Sequence, residues 1–267
     1  MDLCTRYGLE FNPFIKNSKD ILFEGSEYKE AIFRLDYLAK TRGFGLLTGS
    51  PGRGKTTAVR NWSKKLNPSL YKVVYSSLST VTVNDFYRAM ASALGAQPSH
   101  RKTENFSAIQ REITRLALDK KKTPVIIIDE ANYVRNDVLN DLKILFNFEM
   151  DSRDRAVILL VGLPQINSTL QLGIHEPLKQ RIIMNYNLDG FTKDEARSYI
   201  DLKLRGAGCS QPIFDDMALE AIVNASDGTA RMINKFCNSS LVIGNSKEAS
   251  TITADIVMQA INDCELG

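Results

Sequence analysis

An α/β fold, a parallel sheet covered by helices and followed by a small all-helical unit, is what the sequence predicts. Three observations carry that prediction. Short aliphatic or β-branched runs alternate with amphipathic helical patterns over the first 187 residues. The runs are continuously apolar, as strands buried on both faces are. From Leu188 onward only helical patterns remain.

In chain order, a helix is expected over SEYKEAIFRLDYL and then a strand over 45–48, where GLLT runs into a glycine-rich turn. A helix over 55–66, a strand over 72–76 and helices from about 82–94 and 104–118 come next. The Val- and Ile-rich segment 125–129 and the run 156–161 read as strands, with a helix over 137–148 between them. Beyond Leu188, Thr192 with Glu195 three residues on is a capping box opening a helix toward Leu204. Asp215 and Thr253 are placed to cap two more helices. The expected domains are therefore 1–187, a core with its N-terminal segment, and 188–267, a helical lid.

Composition bounds the function. With 267 residues, 43% hydrophobic and 24% charged, the chain can bury a sizeable core, and it has none of the bias of a disordered, collagen-like or coiled-coil protein. Its longest apolar stretches, 125–128 and 156–163, fall short of the roughly 18 residues a membrane span needs. The opening MDLCTRYGLE lacks the pattern of a secretory leader, so a cytoplasmic location is expected. Cys4, Cys209, Cys237 and Cys264 are scattered, without metal-ligand spacing, and read as reduced thiols. Charge is divided: 188–267 holds 7 basic and 12 acidic residues, net −5, against 27 and 19, net +8, before it. A basic first part is compatible with a polyanionic partner and equally with solubility alone.

GSPGRGKT, Gly49 to Thr56, stands between a strand and a helix, the setting of a phosphate-binding loop. There Gly49, Ser50, Pro51, Gly52, Arg53 and Gly54 turn backbone N–H groups toward phosphates at a helix start, with Thr57 behind them. Lys55 is placed to reach the terminal phosphates and Thr56 to ligate magnesium. VIIIDE, 125–130, supplies the partner motif: Asp129 for the magnesium shell and Glu130 to polarise a water. ATP and Mg²⁺ are the expected substrate and ion.

With both motifs and a helical lid, the chain resembles the AAA+ ATPases. The resemblance implies that Arg231, in GTAR, is a second sensor coupling nucleotide state to the lid, and that Arg181, in EPLKQRI, is an arginine finger for a neighbouring subunit. It also implies that the N-terminal segment Phe11, Pro13 and Phe14 covers the adenine, Phe14 being the named contact; Tyr28 and Trp62 read as helix packing. One departure stands out. The first sensor should lie in VILLVGLPQ, yet Val161, Gly162, Leu163 and Pro164 carry no polar side chain, leaving Gln165 to reach back.

YGLEFNPF, SEYKEAIFRLDYL, LLVGLPQI and PLKQRI, in this order and spacing, resemble the ExeA, TniB and TnsC group. Some of that group are secretion ATPases with a membrane span; others regulate DNA transposition. Lacking a span, this chain looks like the latter, which implies an ATP-bound ring or helical filament on duplex DNA that presents target DNA to a transposase. Relatives of the TnsC kind imply backbone contacts from Asn84, Arg101, Lys102 and Thr103. Independently, seven basic residues against three acidic ones between Ser99 and Thr123, and helix starts near 82–85 and 102–105, suit phosphates. A solvated helix flank and ordinary caps account for the same residues. A helicase-loading or replication-type ATPase and a secretion or pilus-assembly ATPase of the ExeA kind are the alternatives.

Overall fold

A computed structural model of the chain describes residues 2–76, 81–209 and 211–265. They fall into two units: Tyr28–Leu188, and Met1–Glu27 together with Asp189–Gly267. The sequence predicts that the N-terminal segment belongs with the core. It groups with the C-terminal helices because Tyr7, Leu9 and Phe14 bury their side chains among them.

Helix α1 (Leu3–Tyr7) opens the chain, and α2 (Ser26–Thr41) leads into the sheet unit. There follow β1 (Gly43–Thr48), α3 (Lys55–Lys65), β2 (Tyr71–Ser76), α4 (Val83–Leu94) and α5 (Lys102–Thr114). The last runs on as a π-helical turn over Arg115–Asp119, so the helical stretch ends close to where the sequence put it. Then come β3 (Thr123–Ile128), α6 (Asn136–Leu145), β4 (Val157–Gly162), α7 (Gln165–Leu170), α8 (Glu176–Lys179) and β5 (Ile182–Asn187). The strands form one sheet in the order β2-β3-β4-β1-β5, every neighbouring pair parallel.

The three inner strands are buried at every position, which is why they read as unbroken apolar runs. Alternate side chains serve opposite faces. Leu46, Ile126, Ile128 and Leu160 pack with Phe86, Ile109 and Leu142 from α4, α5 and α6; Leu47, Val125, Ile127 and Leu159 pack with Leu35, Leu38 and Trp62 from α2 and α3. Trp62 is a core residue, its indole N–H donating to Asp36 Oδ1 at 3.0 Å. Edge strand β5 reads IIMNYN and alternates between burial and exposure. It carries no continuous apolar run, the feature that marks the inner strands in the sequence.

In the other unit, α9 (Lys193–Gly206), α10 (Asp216–Ser226), α11 (Ala230–Ser246) and α12 (Ala254–Glu265) pack around Ile200, Ile222, Ile233, Phe236 and Val257. The capping box is present: Glu195 N–H donates to Thr192 Oγ1 (3.2 Å), and Thr192 N–H donates to Glu195 Oε2 (3.0 Å). Asp215 caps α10 by accepting from Ala218 N–H at 2.6 Å, and Thr253 directly precedes α12. Lys203, 9% exposed, donates from Nζ to the Pro13 carbonyl at 3.1 Å and so ties the N-terminal segment down. Among the described residues no helix is long and apolar enough to cross a membrane.

Candidate functional site

Parallel strands put all their carboxyl ends on one side, and there the loops after β1, β3 and β4 converge. Gly49, which follows β1, lies so close to the Leu188 carbonyl that a Cβ would meet its oxygen at 2.6 Å. Gly54 caps α3 with φ 93°, a left-handed conformation that a side chain would strain. Between them, Ser50, Pro51, Gly52 and Arg53 form the turn, which Arg53 N–H closes onto the Ser50 carbonyl (3.4 Å). Lys55 bends back into this loop: Nζ donates to the carbonyls of Gly49 (2.6 Å) and Ser50 (3.0 Å). An ammonium aimed into a loop at a helix N-terminus is the arrangement a polyphosphate needs. Thr56 and Thr57 follow in the first turn of α3.

Asp129 leaves the end of β3 with 5% exposure. Its Oδ2 accepts from Tyr75 Oη at 2.8 Å and from Thr56 Oγ1 at 3.3 Å, while Oδ1 accepts from the Glu130 N–H at 2.9 Å. These three donors are all neutral. Thr56 and Asp129 offer hard oxygens side by side, and the set fits magnesium. Such an ion would be held by these two residues together with the substrate's phosphates, and would supply neutralisation of their charge. Glu130 is exposed and left-handed (φ 52°), starting a 3-10 turn over Ala131–Tyr133. An L-residue held there at the mouth of the site is a local constraint of the kind active sites carry.

No sequence motif marks Tyr75 as part of this site. It lies next to the last residue of β2, whose neighbour in the sheet is β3, and this parallel register brings its hydroxyl to Asp129. Burial, then the hydrogen bond to Asp129 and the charges of Asp129 and Glu130, push its pKa up to about 12. The hydroxyl is therefore a fixed donor at neutral pH.

The other expected residues take these places. Arg181 lies just before β5, half-buried, with Nη1 donating to the Lys143 carbonyl at 2.8 Å in the last turn of α6. That carbonyl is one of those a helix end leaves unpaired, so Arg181 serves as a C-terminal cap within its own chain. Asn84 Nδ2 donates to the His100 carbonyl at 3.1 Å, joining the start of α4 to the segment before α5. Lys102 is paired, its Nζ 2.5 Å from Asp141 Oδ2 and 5.3 Å from the centroid of the Tyr87 ring. Arg101 is largely exposed and 3.5 Å from Glu104 Oε1, and Thr103 is exposed. The N-terminus of α5 has no side-chain cap, whereas Thr82 caps α4.

In the helical unit, Arg231 is exposed in the first turn of α11, after the turn formed by Asp227 and Gly228. A Cβ on Gly228 would meet the Phe191 carbonyl oxygen at 2.2 Å, so that turn requires glycine. Phe14, named for the adenine, is 5% exposed in the core of this unit, with Phe11 half-buried beside it. Gln165 is exposed at the start of α7.

Comparison with known proteins agrees with this geometry. A family model described as an AAA domain matches residues 38–170. General secretion pathway protein A of Aeromonas hydrophila is 29% identical over 262 residues, covering 95% of this chain and 47% of its own length. This chain thus spans about half of that curated relative. Among solved structures, Cdc6p from Pyrobaculum aerophilum aligns with a TM-score of 0.66 at 15% identity, over 90% of this chain and 67% of that one. The Aeropyrum pernix ORC1 protein, solved in complex with DNA, aligns with a TM-score of 0.65 at 16% identity, over 95% and 69%. The glycine-rich loop, the acidic pair and the sheet order stand together: the chain has the AAA+ fold, a parallel sheet covered by helices and followed by a helical unit, and its residues 38–170 match the model of an AAA domain.

Proposed function

We infer that the protein binds and hydrolyses ATP, self-associates, and acts on duplex DNA as a regulator of transposition. The observation that carries the first step is the convergence of Lys55, Thr56 and Asp129 at one end of the sheet, with Glu130 beside them. Lys55 binds the terminal phosphates, and the N–H groups of the loop orient them. Glu130 activates the attacking water by accepting its proton. Arg231 senses the γ-phosphate, and Arg181 reaches the site of a neighbouring copy. The DNA reading is supported by the exposed Arg101 and Thr103 at the uncapped start of α5, and by the bond from Asn84, at the start of α4, to the His100 carbonyl just before them. The transposase as partner rests on the sequence resemblance to the TniB and TnsC kind.

A second reading, an assembly ATPase working with a secretion system, is favoured by one observation. The relative that aligns with 95% of this chain is General secretion pathway protein A. Nucleotide binding and turnover, measured with and without duplex DNA, separate the possibilities. Lys55→Ala is expected to lose ATP binding, and Glu130→Gln to keep it while losing hydrolysis. Equal ATP affinity in wild type and Lys55→Ala contradicts the ATP site. Full nucleotide activity with no DNA binding in any nucleotide state turns the reading toward secretion.

A further inference from the structure

The end of β4 offers no polar side chain of its own, yet a polar side chain sits there. Asn132, in the turn after Glu130, accepts the Leu163 N–H at its Oδ1 (2.9 Å). Gly162 makes room for it: a Cβ at that position would lie 2.9 Å from Asn132 Oδ1 and 3.1 Å from Asn132 N. The turn is held by Tyr133 N–H to the Glu130 carbonyl (3.0 Å) and Val134 N–H to the Ala131 carbonyl (3.1 Å). Asn132 is thus fixed at both its backbone and its side chain.

Its position follows from the sheet. β4 lies between β3, which delivers Asp129 and Glu130, and β1, which delivers the phosphate loop. Gly162 is the register partner of Thr48, the residue just before Gly49. An amide anchored on Gly162 and Leu163 therefore lies between the two motifs. With Oδ1 engaged by Leu163, the group left to act is Nδ2, a donor with no partner among the described residues.

The geometry points to Asn132 as the residue that holds the attacking water, in place of a polar side chain on β4. This rests on the reading of the protein as an ATPase. Asn132 Nδ2–H donates to the water oxygen, turning a water proton toward Glu130. The oxygen bonds to the γ-phosphorus as the bond from that phosphorus to the bridging oxygen breaks. ADP leaves with the electron pair, and the water proton passes to the Glu130 carboxylate and on to solvent. Gln165, exposed on α7, takes no part.

The test compares wild type, Asn132→Ala and Asn132→Ala with Leu163→Asn, which returns an amide to the end of β4. ATP affinity and kcat at saturating ATP are read separately, with and without duplex DNA. Asn132→Ala is expected to keep ATP affinity within about threefold and to lose about 10²-fold in kcat, the loss typical of one such donor. The double variant is expected to regain at least about tenfold of that. Three results each overturn the role of Asn132 alone: kcat within threefold of wild type, affinity and kcat falling together, or no recovery in the double variant. A wild type that binds ATP without turning it over overturns the ATPase reading, and this role with it.

Discussion

The Tyr75 hydroxyl donates to the same Asp129 oxygen, Oδ2, that accepts from Thr56. On the proposed reading, in which Asp129 helps hold magnesium, that oxygen is shared with a phenol from a neighbouring strand, and an arriving cation would compete for it. Tyr75→Phe is expected to lower the Mg²⁺ concentration giving half-maximal turnover by a few-fold, since one hydrogen bond nets about 1 kcal/mol. The metal-free protein is expected to melt earlier for the same reason. A magnesium titration followed by phosphate release reads the first effect; an unchanged midpoint contradicts the competition. The bond's contribution persists below the ordinary tyrosine range near pH 10 and fades only as pH climbs toward about 12.

Arg181 has an occupation within its own subunit, the Lys143 carbonyl, so its two roles predict different data. As a finger acting in trans, Arg181→Ala keeps ATP binding and loses about 10³- to 10⁵-fold in turnover. Mixing it with Lys55→Ala then restores part of the hydrolysis. As a cap of α6 alone, it lowers the melting temperature and no mixture recovers activity. Turnover measured in assemblies verified by light scattering distinguishes them.

For DNA, binding is expected to require ATP, to ignore sequence and to weaken steeply with salt. Each phosphate neutralised per subunit contributes about 0.9 to the log-log slope, so Lys102→Ala should reduce it by roughly that amount. Its pairing with Asp141 adds a second expectation: Asp141→Asn frees the ammonium and tightens binding at low salt. If salt titrations with a slowly hydrolysed ATP analogue give the same slope for all three proteins, the DNA surface lies elsewhere.

His175 is buried, its Nε2 3.0 Å from Asn136 Oδ1 and its Nδ1 without a partner among the described residues. Burial, helped by the charge of Lys143, pushes its pKa below the ordinary 6.5. The fold prefers the neutral ring, so its stabilising share is full above pH 6.5 and is lost as pH falls through the lowered value. Melting temperatures at pH 7.5 and 5 should separate more for wild type than for His175→Gln. Equal pH sensitivity in the two proteins assigns the acid response to other groups.

The glycine loop and the acidic pair were legible because each is local: a strand, a turn and a helix start within about ten residues carry the whole pattern. Tyr75 and Asn132 were not, because each depends on strand order. Tyr75 becomes relevant only once β2 is known to neighbour β3, and Asn132 only once β3 is known to neighbour β4. Alternation in YKVVYS, placing an aromatic near a strand's carboxyl end, was the signal available. The edge strand β5 shows the reverse limit, since half-exposure removes the apolar run that marked its neighbours. Phe14 illustrates a third: an aromatic before a domain reads the same whether it meets a ligand or a helix, and here it is buried among helices.

The helical unit is assembled from both regions of sequence that flank the sheet, with Pro13 held by Lys203 and Tyr7 set against Gly244. On a ribosome these partners emerge far apart in time. The sheet unit has all its strands once residue 187 has left the exit tunnel, and it can close while synthesis continues. The first 27 residues must wait, with Leu9 and Phe14 uncovered, until α9 to α11 arrive. Chain growth therefore sets an order of maturation: the nucleotide-binding half is finished first, and the unit bearing Arg231 is sealed last.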